Sequence, residues 1–253
     1  MESETYIPTC VGFILDGNRR WAKERNLPTL EGHKQGYEKL KETLQWSHEA
    51  GIQHVVAYVF STENWNRSPK EIEYLLELTR ILFKQEIEKI RRRNWSVRAI
   101  GDLSLYPRDI QDFIQKVHDT NPSDPEFTLW LAASYGGRSE ILAGVNKLLA
   151  QRAQEPCTSA GTQRAQEPCT SAGTERKEQV TEDEFTQVLW TSGMPDPDII
   201  VRTGGQKRLS NFLAWSSGYA ELFFLDTYWP AFSKEDFLLI LKEFASRKRN
   251  FGK

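Results

Sequence analysis

Short runs of apolar residues alternate along the chain with longer segments that have an amphipathic pattern. Turn-forming residues bound most of the short runs. This alternation is typical of βα units around a parallel sheet. It predicts six strands, at Cys10–Leu15, His54–Phe60, Val97–Ile100, Thr128–Ala133, Ile199–Val201 and Leu222–Leu225. It also predicts helices at His33–Ala50, Lys70–Arg93, Pro107–His118, Arg138–Ala150, Glu182–Thr191 and Lys234–Arg247.

The predicted helix at Lys70–Arg93 is apolar on more than one face. Its apolar residues are Ile72, Leu75, Leu76, Leu78, Ile81, Leu82, Ile87 and Ile90. A helix that covers a core with one face only shows a narrower apolar stripe. Burial on two sides by the sheet and its neighbours would explain the pattern. A helix that packs on the core with one side and lines an apolar cavity with the other would explain it too.

The sequence RAQEPCTSAGT occurs twice, at Arg152–Thr162 and at Arg164–Thr174. Both copies are rich in small and polar residues and have no hydrophobic period, so they bury too little apolar surface to become ordered. We therefore predict that residues 152–177 form a disordered loop. A tandem duplication would have inserted it into a single domain that spans residues 1–253.

Composition excludes several classes of protein. A chain of 253 residues can bury a substantial core without disulfides. The 33 Lys and Arg residues nearly balance the 35 Asp and Glu residues, which leaves no overall basic surface for nucleic acid. Met1–Thr9 does not resemble a signal peptide, and no apolar run reaches the roughly 18 residues of a membrane span. With only three cysteines, we expect a cytoplasmic protein whose metal sites use carboxylates.

Polar and charged residues follow the first predicted strand, in the segment DGNRRW at Asp16–Trp21. In open α/β sheets, ligands bind at the carboxyl ends of the strands. A carboxylate beside two arginines suits a magnesium-bridged polyphosphate, because Mg²⁺ takes oxygens from carboxylate and phosphate while arginine binds the remaining phosphate oxygens. A salt-bridged turn at the end of a strand would have the same composition.

Two other predicted strands also end in polar segments. FSTENWNR at Phe60–Arg67 follows the second strand, although Ser61 or Asn64 alone would more often cap a helix than act in catalysis. RTGGQKRLSNF at Arg202–Phe212 follows the fifth, and its glycines and cations could form a cradle for a diphosphate. This last segment has neither the Gly-Lys-Ser/Thr order of a P-loop nor the Rossmann dinucleotide fingerprint.

Taken in order, these segments resemble the signature motifs of cis-prenyltransferases, the family of undecaprenyl and dehydrodolichyl diphosphate synthases. The matching segments are Asp16–Ala22, Gly32–His33, Phe60–Arg67, Ile100–Asp102, Tyr135–Arg138, Arg202–Gly205 and Arg208–Leu213. The resemblance covers about residues 10–252. It implies a Mg²⁺-dependent enzyme that condenses isopentenyl diphosphate with an allylic diphosphate such as farnesyl diphosphate. It also implies an apolar tunnel for the growing chain.

The resemblance further implies roles for individual residues. Asp16 would bind magnesium, with Glu221 as a second ligand contributed across the interface of a homodimer. Asn18 and Ser61 would act with Asp16 in catalysis. The proton lost from isopentenyl C2 could pass to Asp16, through Asn18 and Ser61, or to a diphosphate oxygen. The implied substrate-binding residues are Gly17, Arg19, Arg20, Trp21, His33, Asn64, Trp65 and Arg67, together with Arg202, Arg208 and Ser210 for isopentenyl diphosphate.

Three departures from the family's pattern each remove charge near the phosphates. Thr29 stands where many relatives have arginine, Gln206 stands where glutamate is usual, and Asn250–Gly252 replaces a terminal Arg-x-Gly. Weaker substrate binding or an altered choice of substrate would follow. Arg247, Lys248 and Arg249 could compensate at the terminus.

The length of the product depends on bulk in the tunnel. Val59 and Phe127 stand where the family often has the smaller Ala and Leu, and Trp130 adds bulk on the same predicted strand as Phe127. If these side chains project into the tunnel, the product should be short or medium in length, whereas compensated core packing would leave it unaffected.

Two other functions explain fewer of the features. A non-catalytic partner subunit would be expected to lose the Asp16-Gly17-Asn18 motif, which this chain keeps. A simple phosphate-binding or nucleotide-binding module would not need the two-sided apolar helix.

For a cis-prenyltransferase, release of the lipid product implies peripheral contact with a membrane.

Overall fold

The computed structural model describes residues 6–81, 92–154 and 179–247. Within these ranges, six strands form one parallel sheet: β1 (Cys10–Ile14), β2 (His54–Ser61), β3 (Trp95–Ile100), β4 (Phe127–Tyr135), β5 (Ile199–Arg202) and β6 (Glu221–Phe224). Their order across the sheet is β3-β4-β2-β1-β5-β6. The sheet and its flanking helices confirm the predicted α/β fold class with a mainly parallel sheet of about six strands.

The helices of the described residues are α1 (Asn18–Glu24), α2 (Thr29–Glu49), α3 (Pro69–Ile81), α4 (Arg108–Asp119), α5 (Gly137–Gln154), α6 (Glu182–Val188) and α7 (Lys234–Ser246). Short 3₁₀ helices lie at Thr62–Asn66, Leu103–Leu105 and Trp229–Ala231. Several helices begin at start signals in the sequence. Pro28 and Pro107 immediately precede α2 and α4, and the side chains of Thr181 and Ser233 cap α6 and α7.

The helices differ from the predicted ones at several ends. The amphipathic pattern does not reveal α1, because its sequence NRRWAKE has almost no apolar period. Helix α2 begins at Thr29 rather than His33, directly after Pro28. Residues 92–94, partly predicted as helix, lie in a turn that ends with Asn94 at a φ of 56°. Helix α6 ends at Val188 because the next residue is extended. Residues 82–91 of the long predicted helix lie outside the described residues.

Strand β1 lies at the centre of the sheet, where the order of the strands reverses. Strand β2 lies on one side of it, and β5 followed by β6 lies on the other. Phe13 of β1 pairs with Ala57 of β2 and with Val201 of β5. In open α/β sheets, ligands bind outside the carboxyl ends of the strands at such a reversal. The topology therefore brings the segments after β1, β2 and β5 to one place.

Apolar packing on both faces of the sheet holds the strand ends in position. Strand β4 is buried at all nine of its positions, as expected for a strand covered on both faces. On the face of β4 that carries Leu129 and Leu131, the core includes Leu40 and Leu44 of α2, Phe237, Ile240 and Phe244 of α7, and the aromatic residues Phe13, Trp229 and Phe232. Trp229 also donates its indole N–H to the Gly36 carbonyl at 2.7 Å. This bond fixes α2 beside the segment that follows β6.

Contacts divide the chain into two compact units, Met1–Arg138 with Met194–Lys253, and Ser139–Gly193. The whole sheet belongs to the first unit. In the second unit, Phe185, Val188 and Leu189 pack with Ile141 and Leu148. Because α5 continues to Gln154, residues 152–154 of the predicted loop are helical. Residues 155–177 of that loop lie outside the described residues.

Candidate active site

Hydrogen bonds join the segments that follow β1, β5 and β6 at the carboxyl edge of the sheet. The backbone carbonyl of Asp16 accepts from the Trp229 N–H at 2.9 Å and from the Thr203 hydroxyl at 2.8 Å. The Gly204 N–H donates to the Thr227 carbonyl at 2.8 Å. The segments after β5 and β6 thus hold the backbone of Asp16 just beyond the end of β1. This gives its carboxylate a defined position.

The Asp16 carboxylate lies between two guanidinium groups. Arg20 Nη2 donates to Oδ1 at 3.0 Å, and Arg202 Nη2 donates to Oδ2 at 2.8 Å. Arg202 is buried, and its Nη1 also donates to the Ser210 hydroxyl at 2.6 Å and to the Arg208 carbonyl at 2.5 Å. Its Nε has no hydrogen-bond partner among the described residues. Two positive charges around one negative charge leave a net positive charge for an anionic ligand.

Two glycines make the approach of Arg20 to Asp16 possible. Gly17 and Gly204 have φ values of 108° and 85°, in the left-handed region that favours glycine. A Cβ at Gly204 would lie 2.7 Å from Arg20 Nη2. Arg20 Nη1 donates to the Gly204 carbonyl at 2.7 Å, and its guanidinium lies 5.2 Å from the centre of the Tyr228 ring. A side chain at either glycine would displace this arrangement, because a Cβ at Gly17 would also clash with Tyr228.

A second group of basic side chains surrounds the carboxylate of Glu71. Arg67 Nη1 donates to Glu71 Oε1 at 2.9 Å, His33 Nε2 lies 3.2 Å from the same oxygen, and Arg19 Nη1 lies 3.9 Å from Oε2. Burial lowers the pKa of His33, and the hydrogen bond with Glu71 opposes this only in part. Burial alone would raise the pKa of Glu71, but Arg67 and the hydrogen bond with His33 outweigh it and lower that pKa. A carboxylate of the protein thus occupies the space between three predicted diphosphate-binding residues.

An apolar cavity of about 600 Å³ lies beside these charged groups. Small-molecule sites typically have volumes of about 300–1,000 Å³. Its apolar lining includes Leu75, Leu78, Ile114, Leu131 and Ala133. Leu76, on the same helix as Leu75 and Leu78, packs instead against the hydrophobic core. Within Pro69–Ile81, helix α3 therefore packs on the core with one side and lines the cavity with another, as the second of the two alternatives expects.

Most of the predicted site residues meet around this cavity. Those that line it are Asp16, Asn18, His33, Ser61, Asn64, Arg67, Arg202 and Ser210. An adjoining polar pocket of about 710 Å³ shares several of them and adds Gly17, Arg19 and Arg20. Residues from the segments after β1, β2 and β5 and from α2 thus share one site, as the position of each motif after a strand predicts.

Trp21, Trp65 and Arg208 line neither the cavity nor the pocket. Trp65 donates its indole N–H to the Ser134 hydroxyl at 2.9 Å, and the Trp21 ring lies 4.5 Å from the Arg25 guanidinium. The Arg208 side chain is exposed, and only its carbonyl contacts Arg202. The substrate contacts of these three residues stay predictions.

Ser61 and Asn64 have a structural role in addition to lining the cavity. They form a capping box at the start of the 3₁₀ helix, in which Asn64 Oδ1 accepts from the Ser61 N–H at 3.1 Å. The cap suggested by their residue types is therefore present. It orients both side chains at the end of β2.

Glu221 lies at the opposite edge of the sheet from Asp16. It begins β6 and pairs in register with Ile199, at the start of β5, whereas Asp16 lies beyond the end of β1. The start of β5, which is level with Glu221, and the end of β5, which is level with Ile14, are three residue steps apart, or about 10 Å along the strand. Glu221 instead accepts from Arg247 at 2.7 Å. Within one chain, these two carboxylates do not come together.

The residues predicted to control product length have different surroundings. Val59 lines the cavity. Phe127 is fully buried, its ring packs against Trp95 at 4.5 Å, and it does not line the cavity. Trp130 is also absent from the lining, because side chains alternate along β4 and its ring lies near His54 at 6.4 Å. Of these three residues, only Val59 lines the described cavity, and the effect of Phe127 and Trp130 on product length stays a prediction.

The structure adds several residues that the sequence motifs did not single out. Glu71 could have been suspected from its spacing of four residues from Arg67 at the start of a helix. Gly36 packs against Asn18, as does Gly32 of the Gly32–His33 motif, and a Cβ at Gly36 would lie 2.4 Å from Asn18 Oδ1. Nothing in the local pattern distinguishes Gly36 from a glycine of an ordinary helix.

One of the three departures lines the site, and a second lies beside Arg208, outside the lining of the cavity and of the polar pocket. Thr29 begins α2 and lines the polar pocket. Gln206 Oε1 accepts from Arg208 Nη1 at 2.6 Å, so a neutral amide is the partner of that guanidinium. Asn250–Gly252 lies outside the described residues.

The side chains around Asp16 fit a magnesium ion that is shared with substrate phosphates. Among the described residues, no group of three or more His, Cys, Asp or Glu side chains could hold a metal ion. Mg²⁺ usually binds through one or two carboxylates plus substrate phosphates, so a single exposed carboxylate beside a cationic pocket fits it. The Asp16 side chain is 28% exposed, and it meets this requirement. No helix in the described part of the chain is long and apolar enough to cross a membrane.

Comparisons with known proteins point to one kind of enzyme. A family model described as "Putative undecaprenyl diphosphate synthase" matches residues 14–252. The chain is 40% identical to an isoprenyl transferase of Thermotoga maritima, over 97% of both chains. It is 39% identical to a geranylgeranyl-diphosphate-specific tritrans,polycis-undecaprenyl-diphosphate synthase of Pyrococcus abyssi, over 98% of this chain and 88% of that one.

Two solved structures are similar over nearly the whole chain. Lavandulyl diphosphate synthase from Lavandula x intermedia, in complex with dimethylallyl diphosphate, matches with a TM-score of 0.85 at 27% identity and covers 98% of this chain and 99% of that chain. A probable undecaprenyl diphosphate synthase from Campylobacter jejuni matches with a TM-score of 0.75 at 30% identity and covers 97% and 99%.

Proposed function

Because the chain belongs to the undecaprenyl diphosphate synthase family and is a cis-prenyltransferase, we propose that it condenses an allylic diphosphate with isopentenyl diphosphate in the cavity lined by Asp16, Asn18 and Ser61. One observation carries the proposal: an apolar cavity and an adjoining polar pocket share residues from two groups of basic side chains. Two diphosphates need separate cationic sites, and their hydrocarbon chains need an apolar space.

The allylic diphosphate would bind in the polar pocket. Arg20, His33 and Arg67 would contact its oxygens, with the Gly17 backbone and Arg19 beside them. Glu71 would have to release its partners as the diphosphate enters. The bound dimethylallyl diphosphate in the lavandulyl diphosphate synthase structure supports an allylic diphosphate as a ligand of this fold.

Isopentenyl diphosphate would bind to Arg202 and Ser210, with the exposed Arg208 side chain closing on it. The unpartnered Arg202 Nε and the 2.6 Å bond between Arg202 and the Ser210 hydroxyl support this assignment. An arginine with an unused donor gains a charge-assisted hydrogen bond from a phosphate oxygen.

Magnesium would be held by Asp16 and by substrate phosphate oxygens. When bound, the ion would neutralise negative charge on the leaving diphosphate. Arg20 or Arg202 would release one Asp16 oxygen to the metal. Glu221 would act only on a site in a second copy of the chain, since it lies at the opposite edge of the sheet from its own Asp16.

In the reaction, the allylic C–O bond breaks and the diphosphate leaves with its electron pair. The isopentenyl double bond supplies the electrons of the new C–C bond, and a proton leaves isopentenyl C2. Arg20, His33 and Arg67 would stabilise the charge on the leaving diphosphate. Asp16, Asn18 and Ser61, the candidates for accepting or relaying the proton, all line the cavity.

The active form would be a homodimer that touches a membrane while it releases its lipid product. Large side chains near Glu221 are exposed in the single chain, with Tyr219 at 79% and Leu222 at 39%. A contact between two copies would cover them and could bring Glu221 to the partner's active site.

The decisive experiment supplies purified protein with magnesium, farnesyl diphosphate and labelled isopentenyl diphosphate. Lipid product without any added subunit is expected, and Asp16→Ala should abolish it while the chain stays folded. Mixing Asp16→Ala with Glu221→Ala chains should restore about a quarter to a half of the sites, as two-fold symmetry requires. A folded Asp16→Ala enzyme within tenfold of the parent would contradict the role of Asp16. No recovery in verified mixed dimers would contradict the role of Glu221.

A further inference from the structure

Asn211 connects three of the segments that follow strands around the cavity. Its backbone carbonyl accepts from the Gly137 N–H at 2.7 Å, and its Oδ1 accepts from the Arg138 N–H at 2.9 Å. Its Nδ2 donates to Glu63 Oε1 at 3.4 Å. Gly137 and Arg138 follow β4, and Glu63 follows β2. Asn211, which follows β5, is therefore hydrogen-bonded to the segments after β4 and β2.

The backbone at Asn211 is held in a conformation that needs such contacts. Ser210 and Asn211 have φ values of 50° and 66°, so two consecutive non-glycine residues are left-handed. Such conformations persist only where the surroundings over-determine them. Gly137 and Arg138 open α5, and their N–H groups have no partner within that helix. Asn211 satisfies both, and these bonds in turn hold the left-handed turn.

The neighbours of Asn211 are the groups proposed to meet the substrates. The Ser210 hydroxyl accepts from Arg202, and the Ser210 carbonyl accepts from the Tyr58 hydroxyl at 3.4 Å. On the other side, burial would raise the pKa of Glu63, but hydrogen bonds from its own backbone, Ser61 and Asn211 lower it. The bond between Asn211 and Glu63 therefore spans from the Ser210 turn to the capping box that holds Ser61.

We propose that Asn211 is a positioning residue, which sets the separation between Ser210 and the Ser61 edge of the cavity and so aligns isopentenyl diphosphate with the allylic carbon. The inference rests on the proposed binding of isopentenyl diphosphate at Arg202 and Ser210. A displacement of about 1 Å at a reacting centre can lower a rate about 100-fold, so a fixed separation matters for turnover.

The test replaces one atom of the side chain. Asn211→Asp keeps the acceptor for the Arg138 N–H and a residue type that tolerates left-handed backbone, but it places a second carboxylate next to Glu63. Calorimetric titration without allylic substrate should show isopentenyl diphosphate binding about tenfold more weakly, as expected for a like-charge contact. The affinity for farnesyl diphosphate should not change. Glu63→Gln in the same chain supplies an amide donor to the new carboxylate and should restore most of the lost affinity.

Asn94→Asp is the matched control. Asn94 is also a left-handed asparagine, with a φ of 56°; it is exposed, whereas Asn211 is half-buried, and it lies outside the cavity. A purely structural role for Asn211 would lower the melting temperature and weaken both substrates alike, with no rescue by Glu63→Gln. If Asn211→Asp does not fold, Asn211→Gly keeps the left-handed backbone without the amide and should show the same selective loss.

Unchanged binding of isopentenyl diphosphate in a folded Asn211→Asp or Asn211→Gly chain would overturn the inference. Ser210→Ala separates this failure from a failure of the proposed function. If Ser210→Ala weakens isopentenyl diphosphate while the Asn211 variants do not, only the inference about Asn211 is wrong. If Ser210→Ala has no effect either, the substrate assignment itself is wrong.

Discussion

Replacing Gly36 with alanine should slow turnover while leaving the fold largely intact. Gly36 lies in α2, against the side chain of Asn18. A Cβ built at Gly36 would lie 2.4 Å from Asn18 Oδ1, whereas ordinary van der Waals contact begins at 3.4 Å. The Asn18 amide must therefore move by about 1 Å. Because Asn18 Oδ1 is buried, the amide can move only toward the cavity or by rotating away from its present position.

The effects on stability and on catalysis differ in size. Alanine stabilises a helix interior by about 1 kcal/mol relative to glycine, and overpacking costs about 1–3 kcal/mol. The net loss of about 0–2 kcal/mol leaves a typical domain folded. A displacement of about 1 Å next to the reacting atoms can lower the rate about 100-fold. We therefore expect kcat to fall by about 10-fold to 100-fold with a small change in melting temperature.

Steady-state rates with saturating farnesyl diphosphate, isopentenyl diphosphate and magnesium, together with thermal unfolding, measure both effects. Gly218→Ala is the matched control, because a Cβ at Gly218 meets no atom within 4 Å. Gly32→Ala should destabilise more, since its Cβ would lie 2.1 Å from the Asn18 backbone oxygen, which cannot rotate away. A folded Gly36→Ala enzyme with kcat within threefold of the parent would show that the position of the Asn18 amide does not govern turnover.

Two further predictions concern His33 and the cavity. Burial holds the pKa of His33 below its usual 6.5, so His33 should take up a proton when the anionic farnesyl diphosphate binds near neutral pH. Calorimetry in buffers of different ionisation enthalpy should detect this proton uptake, which should be absent in His33→Gln. The same lowered pKa means that stability should fall as the pH drops below about 6.5, because the unfolded chain binds the proton first. Equal unfolding free energies of parent and His33→Gln across that range would contradict this. Val59→Ala should shift products to longer chains, whereas Phe127→Leu should cost about 1 kcal/mol of stability without changing product length. Chromatography of the reaction products measures their chain lengths. An unchanged chain-length distribution in Val59→Ala would show that Val59 does not limit product length.

The sequence alone determined the order of strands and helices and most of the cavity's polar lining. Buried parallel strands appear as short apolar runs, and each ends at the edge where ligands bind. Contiguous motifs such as Asp16–Trp21 and Phe60–Arg67 therefore pointed to one site before any packing was known. The two-sided apolar pattern of the helix after Arg67 was compatible with a cavity and equally with burial on both sides, and it did not tell which of its leucines face which surface.

Only the tertiary structure decided which side chains meet across the chain. Glu221 precedes an apolar run, and because the strand formed by that run is parallel to β1, the start of β6 lies at the opposite edge of the sheet from Asp16. Phe127 and Trp130 belong to a strand buried on both faces, where hydrophobic pattern does not tell one face from the other. The contacts of Glu71 with His33, of Gly36 with Asn18 and of Asn211 with Glu63 join residues far apart in sequence. Local propensity carries no information about such pairs, because their distances are set by the packing of the helices and strands that carry them.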